Sequence, residues 1–129
     1  MSRDDNELNS DAENKTDKTD KYNLVPPKDL RKLVRVTNNN YVRGMFGGIR
    51  DLQLTVSNNS DFLLDEVKVE LQILKPSGQP LRTDVIRFKN IAANGSVTVN
   101  APDSQRGIKI DYRITKIESQ QWEKATAGL

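Results

Sequence analysis

The sequence predicts an antiparallel, immunoglobulin-like β-sandwich of six to seven strands behind a disordered N-terminal leader. Three observations carry that prediction. Apolar and polar residues alternate from Leu52 to Val56 and again from Val67 to Ile73, a period of two that turns every second side chain to one face. Turn-forming clusters recur between such runs, at Asn38-Asn39-Asn40, Asn58-Asn59-Ser60-Asp61, Pro76-Ser77-Gly78-Gln79-Pro80 and Ala92-Ala93-Asn94-Gly95. No stretch shows convincing amphipathic-helix spacing. An open barrel is the alternative topology.

The elements follow in order. Residues 1–29 are rich in Asp, Asn, Glu, Lys, Ser and Thr, a composition with too little apolar surface to offset its ordering entropy. They read as a disordered leader or tether, stiffened at its end by Pro26-Pro27. Residues 30–117 read as the sandwich domain. Leu33–Thr37 is the first expected strand, and Ile49–Ser57 the second, with Leu52, Leu54 and Val56 on its core face. Between them Gly44, Gly47 and Gly48 surround Met45 and Phe46, which implies a tight bend or a close backbone approach.

The third strand starts at Phe62 and Leu64 on even positions but continues through Val67, Val69, Leu71 and Ile73 on odd ones. A one-residue slip would turn the core face outward, so a bulge or corner is expected at Asp65-Glu66. Leu81–Phe88 and Ser96–Ala101 are the fourth and fifth strands. Ile108–Thr115 alternates throughout and is the clearest strand in the chain, with Ile110 and Tyr112 facing the core. Residues 118–129 read as a flexible tail, polar except for Trp122, that frays or forms a helical turn.

Composition narrows the chemistry. The chain of 129 residues has no Cys and no His. Disulfides, thiolate metal sites, the usual imidazole ligands and Ser-His catalysis are therefore excluded. Only 35% of residues are apolar, low for a chain packed along its whole length. Residues 1–29 hold eight acids and five bases, leaving 15 Lys/Arg against 10 Asp/Glu in the remainder. The folded part is thus mildly basic, with signs interspersed. No apolar run is long enough for a membrane span or a signal-peptide core.

Candidate sites are few. Asp61, Asp65 and Glu66, near Asn58, Asn59 and Ser60, offer oxygens of the kind Ca²⁺ takes, although turn composition alone accounts for them. Tyr41, Met45, Phe46 and Trp122 are the candidate interaction residues. For Phe46 the favoured reading is a plug at the end of the sandwich; for Trp122, exposure and partner contact are evenly weighed. Lys109, Arg113 and Lys116 form a broken basic stripe on the last strand. Asp111 interrupts it and Tyr112 turns inward, so a solvated face is expected rather than a nucleic-acid surface.

From Leu52 to about Ala101 the pattern resembles the FxLYD-type and related bacterial β-sandwich domains. The F-x-L element is Phe62-Leu63-Leu64, followed by Asp65 and Glu66 rather than Tyr and Asp. Asn39-Asn40-Tyr41, Gly44-Met45-Phe46-Gly47-Gly48-Ile49, Leu74-Lys75-Pro76-Ser77-Gly78 and Arg106-Gly107 resemble phrases of an uncharacterised domain common in Bacteroidetes envelope-associated proteins. The likeness spans roughly residues 33–117. It implies a non-catalytic structural or protein-interaction module, an accessory domain of an envelope-associated protein, with no catalytic residue, cofactor or resident metal. A periplasmic or envelope location follows only from that likeness. The rival expectation is a ligand-binding sandwich, for carbohydrate through Tyr41 and Trp122 or for Ca²⁺ through Asp61, Asp65 and Glu66. The partner's identity and the oligomeric state stay open at this point.

Overall fold

The computed structural model describes residues 29–127; the expected leader, apart from Asp29, lies outside them. The fold is an all-β, antiparallel, sandwich-like arrangement. Eight strands lie among the described residues: β1 (Val34–Asn38), β2 (Val42–Arg43), β3 (Ile49–Arg50), β4 (Gln53–Asn58), β5 (Leu64–Leu74), β6 (Pro80–Ile91), β7 (Ser96–Asn100) and β8 (Lys109–Glu118). A short helix, α1 (Gln120–Thr126), follows β8. One three-stranded sheet has the order β1-β4-β7 and the other β6-β5-β8, while β2 and β3 form a separate hairpin.

The two sheets share one core, and β5 supplies its axis. Leu64, Val67, Val69, Leu71 and Ile73 are all fully buried, as the alternation requires of a central strand with one face inward. Leu54 and Val56 of β4 and Phe88 and Ile91 of β6 meet them, equally buried. Each such side chain contributes roughly 1.5–3 kcal/mol through burial. Ile110 and Tyr112 of β8 pack against this core but remain half-buried.

Several sequence expectations shift in detail. Leu30–Leu33 forms a 3-10 turn before β1, so Leu33 ends that turn rather than opening the strand. Asp29 caps it, its side chain accepting from the Arg31 amide at 3.1 Å. The expected second strand is broken in two by Asp51, which adopts φ 58°. Its amide donates to Asp103 Oδ1 at 3.2 Å, and the chain passes from the β2–β3 hairpin into the first sheet there.

The phase slip at Asp65-Glu66 is present, and the partner strand mirrors it. Leu64 and Val67 are buried with two less buried residues between them; opposite, Ile91 and Phe88 are buried around the exposed pair Lys89 and Asn90. The pairing Leu64↔Ile91 and Val67↔Phe88 keeps a single register, so no residue is inserted. Asn90 at φ 55° absorbs the change of side, a conformation Asn tolerates better than most residues. A true bulge occurs elsewhere: Lys68 pairs with Lys116 but Val69 with Ile114, leaving Thr115 as the extra residue. The expected alternation of the last strand holds from Ile108 to Thr115; beyond the bulge the phase changes, and Ile117 returns to the core side.

Two of the three crossings between the sheets, β4 to β5 and β6 to β7, meet at Asn58, while the third, β7 to β8, runs through the loop of residues 101–108. The Asn58 side chain is fully buried. Its Nδ2 donates to the carbonyls of Phe62 (2.8 Å), Ala92 (3.0 Å) and Ile91 (3.3 Å). Its Oδ1 accepts from the Ser60 amide at 3.0 Å and the Ser60 hydroxyl at 2.6 Å. Asn58→Ala should therefore cost at least about 3 kcal/mol, since it strands several buried polar groups at once. Asn58→Asp should cost more at neutral pH, placing an anion against three carbonyl oxygens. Urea unfolding of the two variants checks both the magnitude and the order.

Candidate interaction site at the hairpin tip

The β2–β3 hairpin sits at the end of the sandwich opposite Asn58. Val42 pairs with Arg50 and Arg43 with Ile49. The Gly44 amide donates to the Gly48 carbonyl at 3.0 Å, and the Gly47 amide to the Gly44 carbonyl at 3.1 Å. Met45 and Phe46 are therefore the two central residues of a tight turn, and Gly47 follows at φ 100°. This is the geometry of a three-residue hairpin loop closed by a glycine bulge. Gly48 also has a positive φ, 103°.

The hairpin is fastened along one side to the loop of residues 101–108. Gly48 donates to the Gly107 carbonyl at 2.8 Å, and Ile49 and Ser104 exchange backbone bonds of 2.8 and 2.9 Å. Arg43 reaches the Ile108 carbonyl at 3.1 Å. That loop is held in turn by Arg82, which donates to the carbonyls of Asp103 (3.0 Å) and Pro102 (3.2 Å). The Ser104 hydroxyl donates to the Arg106 carbonyl at 2.8 Å. The two turn side chains on this braced backbone stand almost wholly in solvent: Met45 is 91% and Phe46 98% exposed.

Phe46 therefore does not plug the sandwich. The buried position at this end belongs to Ile49, and a central turn residue points away from the strands it connects. Two grooves flank the Phe46 ring. One, of about 530 Å³, is lined by Phe46, Lys75, Pro76, Leu81, Arg106 and Ile108. The other, of about 610 Å³, runs along Met45, Arg50, Asp103 and Gln105.

Tyr41 and Trp122 do not join this patch. Tyr41 is half-buried against the core, close enough to Tyr112 to affect its ionisation. Trp122 lies on α1, which docks at the start of β5 through Gln121 Oε1, acceptor from the Leu63 amide at 2.9 Å. Gly107 packs near Ile73 at the other end of β5, so Trp122 and Phe46 stand roughly 30 Å apart along that strand. Trp122 is half-buried in a groove with Leu30, Ile114 and Ile117.

The three acidic candidates are directed to separate partners. Asp61 accepts from Asn94 at 3.2 Å and Asp65 from the Gln120 amide at 2.7 Å. Glu66 lies 3.7 Å from Arg87. Among the described residues, no three His, Cys, Asp or Glu side chains converge as a metal site would need. On β8, Arg113 pairs with Glu70 at 3.1 Å and Lys116 with Glu118 at 2.7 Å, so part of the broken basic stripe is internally balanced.

The sequence pattern marks Met45 and Phe46 as candidate interaction residues but places neither Lys75, Leu81 nor Arg106 beside them. These meet Phe46 only through long-range folding, which a local pattern does not reveal. No family model, curated protein or solved structure matches the chain. Among the described residues, no helix is long and apolar enough to cross a membrane.

Two tests follow from this geometry. Gly78 and Gly107 share a positive φ, 91° and 99°, but a Cβ on Gly78 meets open space whereas one on Gly107 collides with Ile73 Cγ2. Gly78→Ala should cost about 1 kcal/mol from backbone strain. Gly107→Ala should cost roughly 1–3 kcal/mol more from the clash. Denaturant midpoints of the two variants give the comparison.

The second test concerns Tyr112, whose hydroxyl donates to Asn38 Oδ1 at 2.7 Å. Burial, aided by Tyr41 and Asp111, raises its pKa above the ordinary 10.0. The unfolded chain then releases this proton first as pH climbs. Stability contributed by the neutral phenol is intact below pH 10.0 and is lost as pH rises through the folded-state pKa. Tyrosinate absorbance should show one late-titrating group, absent in Tyr112→Phe, and that variant should lose less stability at alkaline pH.

Proposed function

We propose that this chain is a non-catalytic interaction module that binds protein through the end of the sandwich bearing Met45 and Phe46. The observation that carries the reading is the near-complete exposure of these two large apolar side chains on a turn closed by its own hydrogen bonds and fastened along one side to the loop of residues 101–108. A free loop could fold such residues inward; this one is prevented from doing so. Large apolar groups displayed side by side mark partner sites more often than isolated surface residues do. The resemblance of Phe62-Leu63-Leu64 and the glycine-rich phrase to bacterial envelope domains supports an accessory role in an envelope-associated protein. Tyr41 and Trp122, packed against the core, leave the carbohydrate reading without its two stacking residues.

The test is a photocrosslinking side chain placed at Phe46 and, as control, at exposed Lys89, in the cell that produces the protein. A discrete protein adduct is expected from position 46 and not from position 89. Phe46→Ser should leave unfolding stability within about 0.5 kcal/mol of the parent, as for other surface changes, while competing poorly for the partner. Equal adducts from both positions, or none from position 46, would sink the reading.

A further inference from the structure

We infer that the partner presents an acidic segment carrying an apolar side chain, which seats in the groove between Phe46 and the β5–β6 turn. This rests on the reading of the hairpin tip as a protein-binding site. The groove has an apolar floor and wall: Pro76, Leu81, Ile108 and the Phe46 ring. Its charged lining consists of Lys75 and Arg106, with no acid among the groove residues. A peptide that fills it must bury an apolar group and would meet two cations beside that group, so carboxylates next to the apolar residue complete the match.

The second groove carries one charge of each sign. Arg50 lines it, and its acid, Asp103, already accepts from the Asp51 amide at 3.2 Å. The surplus of positive charge at the tip therefore lies on the Lys75 and Arg106 flank of Phe46, within a described domain whose sequence from residue 30 onward carries a surplus of five bases. Concavity decides between an acidic peptide and an anionic lipid surface. A membrane rewards a protruding apolar tip and gains nothing from a groove beside it, whereas a peptide side chain needs that groove. The backbone bonds that hold Gly44, Gly48 and Ile49 also mean that little ordering is left to occur on binding.

Fluorescence anisotropy with a labelled peptide of alternating glutamate and leucine tests this directly. The full chain should bind it, and added salt should weaken the complex, since charge on the rim is screened within about 10 Å at ordinary ionic strength. Phe46→Ser should weaken it roughly tenfold or more, as loss of a central aromatic anchor does. The double variant Lys75→Glu with Arg106→Glu, its folding verified by an unchanged melting curve, should weaken it by a similar factor. A peptide with lysine in place of glutamate, or serine in place of leucine, should bind far less.

Equal binding of the lysine peptide, indifference to both variants, or no binding at all would overturn the inference. Capture of the protein by phosphatidylglycerol vesicles without peptide binding would overturn it in favour of a lipid surface. Adducts at position 46 combined with failure of the acidic peptide would defeat only the acidic-segment inference. The absence of those adducts would defeat the binding-module reading beneath it.

Discussion

The buried amide of Asn58 is the constraint on which the rest of this structure depends. A sandwich must carry its chain from one sheet to the other, and each crossing leaves backbone groups that neither ladder can satisfy. Here two of the three crossings meet at one corner. One side chain donates to carbonyls on each, at Phe62 and at Ile91 and Ala92, while its oxygen holds Ser60. The neighbouring backbone extends the clamp: Asn58 donates to the Gly95 carbonyl, Asn94 to that of Ser60, and Asn59 to that of Leu33. An apolar residue of similar size would fill the space but leave these groups unpaired, and burial makes each of them costly. The relative placement of the two sheets is thereby set from this end.

The opposite end is built on a different principle. Its polar backbone groups are also paired, but the pairing runs between loops and leaves the side chains of Met45 and Phe46 outside. Glycines make this possible where a side chain would not fit. A Cβ on Gly48 would stand 3.1 Å from two backbone carbonyl oxygens, and one on Gly107 would strike Ile73. The hairpin and the loop of residues 101–108 therefore lie closer than ordinary residues allow. One corner of the molecule satisfies itself completely, and the far end displays what it does not bury.

Much of the fold was legible because the signal is local. Alternation in Leu52–Val56 and Val67–Ile73 needs no knowledge of partners, and the turns are marked by their own residues. Even the slip at Asp65-Glu66 could be read, since Leu64 and Val67 cannot both face inward on a regular strand. What could not be read was its cure, because Asn90 lies on a strand whose pairing is a tertiary fact. The break at Asp51 and the bulge at Thr115 were hidden for the same reason. Asn58 looked like a turn residue among others, and its burial depends on segments that meet it only in the fold. At the tip, glycine spacing pointed to an unusual backbone, but whether Phe46 faced inward depended on Ile49 already holding the buried position.

The edges of the β6-β5-β8 sheet are built differently from the tip. β6 and β8 are the outer strands of their sheet, and long edges invite another strand to pair. Both carry features that oppose this. β8 is bulged at Thr115 and bears exposed Lys109, Arg113 and Lys116. β6 begins at Pro80, which has no amide to donate, and carries exposed Arg87 and Lys89 before the turn in backbone at Asn90. Charge, proline and irregular register are the devices by which sheets discourage edge pairing. With the edges of this sheet discouraged and one corner closed on itself, the most exposed large apolar side chains among the described residues are Met45 and Phe46, ahead of Val85 and Val42. Under the proposed function, the fixed backbone of Met45 and Phe46 would let a partner gain contact there without first ordering a loop.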